Sequence, residues 1–277
     1  MNGAPEPLPV TVVIPVLNEE RNLPACLASL GTAFAEVLAV DSGSSDRTAA
    51  IAAAAGVKVL DFAWDGKYPK KRNWVLLNHS FRTPWVFFLD ADERVTPAFV
   101  DELRRTLPTT DCSGFRLRFN NRFLGHPLRH GDVFCKLALF RVGAGGYERF
   151  PEDHWSHLDM EIHEHPVLDG SIGCIDARLE HHDDRPLVDH VRKHEAYADW
   201  EARRFHWLRD AGDGAWALLT PRQRFKYRHL DRWWLGMVYF LGSYVLKRGF
   251  LDGMPGYRFA CFKCGYFWTI RRRILSL

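Results

Sequence analysis

The segment Trp85-Val86-Phe87-Phe88-Leu89 is an apolar run of strand length, and it stops at three carboxylates within four residues, Asp90, Asp92 and Glu93. Burying the run is favourable, so the carboxylates must gather where the strand leaves the core. Grouped carboxylates repel one another unless a cation joins them. A chain with this segment needs a buried strand whose C-terminal end opens on a polar, cation-binding site.

The preceding residues supply a sheet for that strand. Val10 to Val16 is β-branched and free of charge, as expected of a strand covered on both faces. Asn18-Glu19-Glu20 follows, and Leu23, Cys26, Leu27 and Leu30 recur at helical spacing before Gly31. Glu36 to Val40 reads as a second strand ending in Asp41-Ser42-Gly43-Ser44-Ser45-Asp46, with a helix over Thr48 to Ala55. Val57 to Phe62 is a third strand, Tyr68 to Asn78 a helix, Trp85 to Leu89 the fourth strand and Pro97 to Leu107 a helix. This alternation predicts an α/β fold, a doubly wound, mainly parallel sheet. Right-handed crossovers put the C-terminal strand ends on one edge, where ligands of open α/β sheets bind. The clusters Pro15–Glu20, Asp41–Asp46 and Asp90–Glu93 therefore share that edge.

After about residue 112 the alternation stops. Phe115 to Phe119 and Phe134 to Phe140 read as strands, Leu187 to Trp207 as a helix and Pro221 to Leu246 as a basic, aromatic helical stretch. Gly249 to Gly256 breaks that stretch before a last helix containing Arg271-Arg272-Arg273. The net charge of +3 hides an asymmetry: Pro221 to Leu277 holds twelve Lys/Arg against two acids, and the rest 25 against 32. The same tail carries 14 of the 37 aromatic residues, a composition suited to an anionic surface. Trp233, Trp234, Tyr239, Phe240 and Tyr244, flanked by Arg228, Arg232, Lys247 and Arg248, suit an interfacial helix; packing on the catalytic domain is the alternative. The apolar run from Trp233 to Leu246 is too short to span a bilayer, and Met1 to Pro9 lacks the pattern of a signal peptide. The expectation is a cytoplasmic protein, peripheral on the inner membrane. The tail's aromatics sit among aliphatic residues, so no nucleic acid is expected as a partner. Cys261-x-x-Cys264 is an isolated pair and makes no zinc site.

Several residues carry candidate chemistry. Asp90 and Asp92, at i and i+2, are hard oxygen ligands for Mg2+ or Mn2+, ions that keep waters and take substrate phosphates; the plain alternative is a solvated turn. Asp41 can accept from a nucleobase or ribose, or cap the next helix, although Ser44, Ser45 and Asp46 are better placed for capping. Lys70-Lys71-Arg72-Asn73 offers cations to a diphosphate, Arg72 first, or forms a solvated basic face. In Asp159-Met160-Glu161-Ile162-His163-Glu164-His165, an extended backbone would put Glu161, His163 and His165 on one face, a conceivable metal site; a charged surface turn is the alternative. A glycosyl transfer would need one carboxylate to take the acceptor proton, with Glu164 the first choice and Glu161 and Asp159 in reserve. His181, in His181-His182-Asp183-Asp184, can complete a metal shell, or the cluster is chance among 13 histidines.

Together Val13-Ile14-Pro15-Val16-Leu17-Asn18-Glu19-Glu20, Val40-Asp41-Ser42-Gly43-Ser44-Ser45-Asp46-Arg47-Thr48 and Leu89-Asp90-Ala91-Asp92-Glu93 resemble a family 2 glycosyltransferase of GT-A fold. Arg72-Asn73-Trp74, Ile162-His163-Glu164, Leu179-Glu180-His181, Arg185-Pro186-Leu187 and Gly249-Phe250-Leu251-Asp252-Gly253 are similar to bacterial lipopolysaccharide core and surface-polysaccharide glucosyltransferases. The resemblance implies a UDP-sugar donor of UDP-glucose type, Mg2+ or Mn2+, inversion at the anomeric carbon and a lipopolysaccharide or lipid-linked glycan acceptor. Carried over, Pro15, Val16, Glu20 and Ala91 line the nucleotide, Asp41 holds uracil and Arg72 lies near the diphosphate. Asp90 contacts ribose or metal, Asp92 binds metal, and the base lies in the region of Glu164. It also implies a catalytic domain over 1–215, nucleotide-binding in 1–111 and acceptor-binding in 112–215, with a membrane-associating tail over 216–277. His229-Leu230-Asp231-Arg232-Trp233 departs from the Gln/Arg-x-x-Arg-Trp signature of processive synthases at its first place, which leans towards one sugar per encounter. Two other functions compete. A sugar nucleotidyltransferase would want a Gly-rich basic loop where Asn18-Glu19-Glu20 stands, and an inactive sugar-binding protein would not need Asp90, Asp92 and Glu164.

Overall fold

The computed structural model describes residues 5–132, 134–149, 156, 158–160, 165–182, 187–217 and 219–277. The chain divides into two compact units, residues 1–120 with 134–182, and residues 121–133 with 183–277.

The first unit begins as the alternation predicts: β1 Leu8–Val16, α1 Leu23–Leu30, β2 Phe34–Asp41, α2 Thr48–Ala54, β3 Lys58–Asp61, α3 Lys71–Asn78 and β4 Trp85–Phe88. It continues with β5 Glu93–Arg94, α4 Pro97–Thr106, β6 Gly114–Phe123, β7 His126–Leu128, β8 Cys135–Arg141, β9 Gly145–Tyr147, β10 Pro166–Leu168 and β11 Ile172–His181; the end of β6 and all of β7 belong to the second unit. The main sheet runs β3-β2-β1-β4-β8-β6-β11-β5, with β7 on β6; β9 and β10 form a separate pair.

The first four strands form the parallel sheet expected, and antiparallel strands extend it. β3, β2, β1 and β4 are parallel neighbours, whereas β8 runs antiparallel to both β4 and β6. Among the described residues no helix separates β6, β7 and β8, so these strands enter antiparallel. Side chains alternate across two cores. Trp85, Phe87 and Leu89 join Val10, Val12 and Ile14 against α1 and α4, while Val86 and Phe88 join Val13 on the opposite face. Burial on both faces explains why these strands read as unbroken apolar runs. α4 starts where Thr96 Oγ1 accepts the Phe99 N–H at 3.2 Å and Pro97 takes the first turn.

The second unit is helical: α5 Leu187–Asp210, α6 Asp213–Ala217, α7 Pro221–His229, α8 Leu235–Leu241 and α9 Gly253–Ser276, with a π turn at Gly242–Leu246 and a 3-10 turn at Gly249–Asp252. Ala198, Ala202, Phe205 and Leu208 of α5 pack with Phe267, Ile270 and Ile274 of α9. The boundary between the units falls at 182/183, and α5 shares its core with α9. The hairpin tip joins the unit through Asp252, whose carboxylate accepts the N–H groups of Arg129 and His130 at 2.9–3.1 Å. The aromatic residues expected to face a membrane partly turn inward. Tyr239 stacks on Phe267 with centroids 4.2 Å apart, and Tyr244 packs against Phe250 and Tyr257. Among the described residues, no helix is long and apolar enough to cross a membrane.

Candidate active site

The parallel strands deliver their polar ends to one edge. Pro15 and Val16 lie opposite Val40 and Asp41 in the β1–β2 register, so the two following loops start side by side. They are laced together. Asn18, in the left-handed region at φ 55°, donates its N–H to Ser44 Oγ at 2.9 Å and accepts from the Ser45 N–H at 2.8 Å. Asn tolerates that conformation better than most residues. The Glu19 N–H reaches Thr48 Oγ1 (2.8 Å), the Glu20 N–H reaches Asp46 (3.1 Å), and the Glu20 carboxylate pairs with Arg47 Nε (3.2 Å). Asp41 is buried and accepts from the Ser44 N–H at 3.1 Å and the Ser44 hydroxyl at 2.6 Å. It does not cap α2: Asp46 accepts the Thr48 N–H at 2.9 Å.

Lys70, Lys71, Arg72 and Asn73 are all buried, so the solvated basic face is ruled out for them. Lys71 Nζ donates to the Val16 carbonyl at 3.0 Å and pairs with Asp159 at 3.1 Å. Burial pushes its pKa down, opposed by Asp159. The Lys71 N–H donates to the Asp159 carbonyl (3.0 Å), and Ser42 Oγ donates to the Asp159 carboxylate. Asn73 clamps Tyr147, accepting its N–H at 2.9 Å and donating to its carbonyl at 3.1 Å. Only glycine fits beside that clamp, because a Cβ on Gly146 would stand 2.9 Å from Asn73 Oδ1.

Asp90 lies at the end of β4 between two cations. Arg72 Nη2 donates to Oδ1 at 2.8 Å and Lys136 Nζ to Oδ2 at 2.9 Å. Lys136 also pairs with Glu93 at 2.7 Å, and Glu93 accepts the Asp90 N–H at 2.9 Å. Burial alone would raise the Asp90 pKa, but Lys136 and Arg72 overcome it and hold the carboxyl far below the usual range. Glu93 is pushed up to about 7, first by burial and, against the pull of Lys136, by Asp90 beside it. Ala91 is buried between the aspartates.

Asp92 faces a different partner. β11 pairs antiparallel with β5, setting His181 opposite Glu93, and the His182 N–H donates to the Asp92 carbonyl at 2.8 Å. His181 Nε2 then lies 3.7 Å from Asp92 Oδ2, its ring stacked on Phe134. A carboxylate and an imidazole so placed suit a cation that takes its other ligands from water and phosphate. Among the described residues, no group of three His, Cys, Asp or Glu gathers for a metal.

Glu164, Glu161, His163, Asp183 and Asp184 lie outside the described residues. The chain on either side of 161–164 is tied: Asp159 to Lys71, and the His165 carbonyl to the Glu148 N–H at 3.1 Å. Lys136 was not foreseen as a site residue. Its signal was available, because the pleat of β8 puts Lys136 on the face of buried Ala138.

Parallel strands carrying laced polar loops and buried carboxylates at their C-terminal edge define an α/β enzyme with its site at that edge. The model of glycosyl transferase family 2 matches residues 11–141. The lipopolysaccharide core biosynthesis glycosyltransferase LpsC of Rhizobium meliloti is 33% identical over 206 residues, which cover 70% of this chain and 71% of that protein. The chain belongs to glycosyl transferase family 2 and is a glycosyltransferase. An uncharacterized glycosyltransferase of Mycobacterium tuberculosis is 41% identical over 83 residues, covering 30% of this chain and 36% of that one. Glucosyl-3-phosphoglycerate synthase from Mycobacterium tuberculosis, solved with Mn2+, UDP and glucosyl-3-phosphoglycerate, matches 40% of this chain and 44% of its own at 26% identity, with a TM-score of 0.33.

Proposed function

We propose that the enzyme moves one sugar, a UDP-glucose-type hexose, from a UDP-sugar to a lipopolysaccharide core or lipid-linked glycan acceptor, with inversion. The observation that carries the donor reading is the single edge shared by the Asn18–Glu20 loop, Asp41 and the Asp90–Asp92 carboxylates. Asp41 would receive uracil, Pro15, Val16, Glu20 and Ala91 would line the nucleotide, and Arg72 would turn from Asp90 towards the diphosphate. The acceptor reading is supported by the similarity to LpsC over most of both chains.

Asp92 and His181 would hold Mg2+ or Mn2+ with water and phosphate, and Asp90 would join them on release from Arg72 and Lys136; the ion would neutralise charge developing on the departing diphosphate. Glu164 takes the proton of an acceptor hydroxyl; that oxygen attacks the anomeric carbon from the face opposite UDP, and the bond to the diphosphate oxygen breaks. Glu164→Gln is expected to slow turnover by about 10²–10⁴-fold while UDP binding survives. Asp92→Ala is expected to weaken metal-dependent UDP binding. The deciding measurement is release of UDP, GDP and dTDP from their sugars, with and without Mn2+, in the presence of lipopolysaccharide. Mn2+-dependent UDP release supports the reading; UDP binding with no release from any donor overturns it. We also propose that the C-terminal tail holds the enzyme on an anionic membrane, as a peripheral protein of the cytoplasmic face.

A further inference from the structure

The outer faces of α8 and α9 are apolar. Met237, Leu241 and Val245 recur at i, i+4 and i+8 and are all exposed. The chain then turns through Leu246, the most exposed large apolar side chain among the described residues at 82%, and on through Phe250 and Leu251. On α9 the exposed row continues with Met254, Tyr257 and Trp268.

These residues make one surface. Trp268 Nε1 donates to the Trp233 carbonyl at 3.1 Å, and Met237 Sδ lies 4.0 Å from Cys264 Sγ, one turn before Trp268. Gly236 lets the two helices approach, since a Cβ there would stand 3.0 Å from the Cys264 carbonyl. Phe240 and Tyr244 contact Tyr257, drawing the turn onto the same face.

The charges around it are cationic. Arg258 stands four residues after Met254 and Arg272 four after Trp268, on the same row, and Arg248 follows Leu246 in the turn. Among the described residues no acid pairs with these three arginines. The two acids of the tail are engaged, Asp252 with Arg129 and His130, and Asp231 with Arg209 and Arg232. A second copy of the chain on this face would bring two arginine-bearing faces together with no free acid of the tail to meet them. A bilayer offers the complement: hydrocarbon beneath anionic phosphates.

We propose that this composite face, and not the aromatic set of α8 alone, docks the enzyme on an anionic bilayer, with Leu246, Leu251 and Met254 entering the headgroup–acyl boundary and Arg248, Arg258 and Arg272 meeting lipid phosphate. It rests on the membrane reading above and names its surface. The test is flotation of the full chain with phosphatidylcholine vesicles, with and without phosphatidylglycerol. The wild type is expected to float with the anionic vesicles and to release in high salt. Leu246→Glu with Leu251→Glu should lower partition by roughly tenfold or more. Arg248→Glu with Arg258→Glu should remove the preference for phosphatidylglycerol. All these side chains are exposed, so melting temperatures should match the wild type. UDP binding in the same samples separates a failed membrane face from a failed donor site. Unchanged flotation of both pairs overturns the proposal. So does a wild-type dimer, seen by light scattering, that the leucine pair splits.

Discussion

Lys136 is the residue on which the carboxylates at the end of β4 depend. It bonds Asp90 and Glu93 at once, and Glu93 is fully buried. Lys136→Met would leave two acids with one guanidinium, Arg72, on Asp90 alone. Removing one partner of a buried pair typically costs about 3–5 kcal/mol, much more than losing a surface pair. The expected result is a loss of that order in urea unfolding, with Lys136→Arg losing less. His194 offers a test in the other unit. Its Nδ1–H donates to the His190 carbonyl at 2.8 Å, and its ring meets Phe262 and Tyr266. Burial pushes its pKa down to about 4 from 6.5, reinforced by Lys193 and His190 on α5 and Lys263 on α9. The unfolded state therefore binds more protons between about pH 6.5 and 4, so stability is lost as pH falls through that window. Urea midpoints at successive pH values check this, and His194→Gln is expected to flatten the slope.

Among the elements, β1 and β4 were legible because both faces are buried, which leaves no charged residue to blur the run, and β2 was legible from its apolar end, Val37 to Val40. The site loops were legible for the same reason, since each begins where such a run stops. β11 was not. Its sequence alternates Asp176, Arg178 and Glu180 with apolar residues, and its partner β5 is only two residues long. His181 could be suspected as a ligand but not placed, because its position depends on pairing across almost ninety residues of chain. Lys136 was legible only in part: the pleat of β8 sets it on the face of buried Ala138, but its partners Asp90 and Glu93 lie at the end of β4 and on β5. The cap of α7 shows what local signals do carry. Thr220 and Gln223 form a reciprocal capping box with Pro221 in the first turn between them. Thr220→Ala is expected to cost about 1 kcal/mol, read as a lower urea midpoint.

For the molecule as a whole, the consequence of the observed division is a different cut site. A chain ending at residue 215 keeps α5 but loses Phe267, Ile270 and Ile274, which cover Phe205 and Leu208. Such a chain is expected to expose that core and aggregate, measurable as loss of cooperative unfolding and of a monomer peak in gel filtration. The order of synthesis adds a second consequence. Residues 121–133 leave the ribosome early, yet Asp252, which holds Arg129 and His130, follows 122–123 residues later. At roughly 5–20 residues per second, the hairpin waits on the order of ten seconds for its partner. During that interval the last three residues of β6 pair with β7 alone, and the hairpin tip lacks the carboxylate that holds it. A nascent chain stalled just short of Asp252 should therefore be cut by protease at the hairpin and spared in β1 to β4.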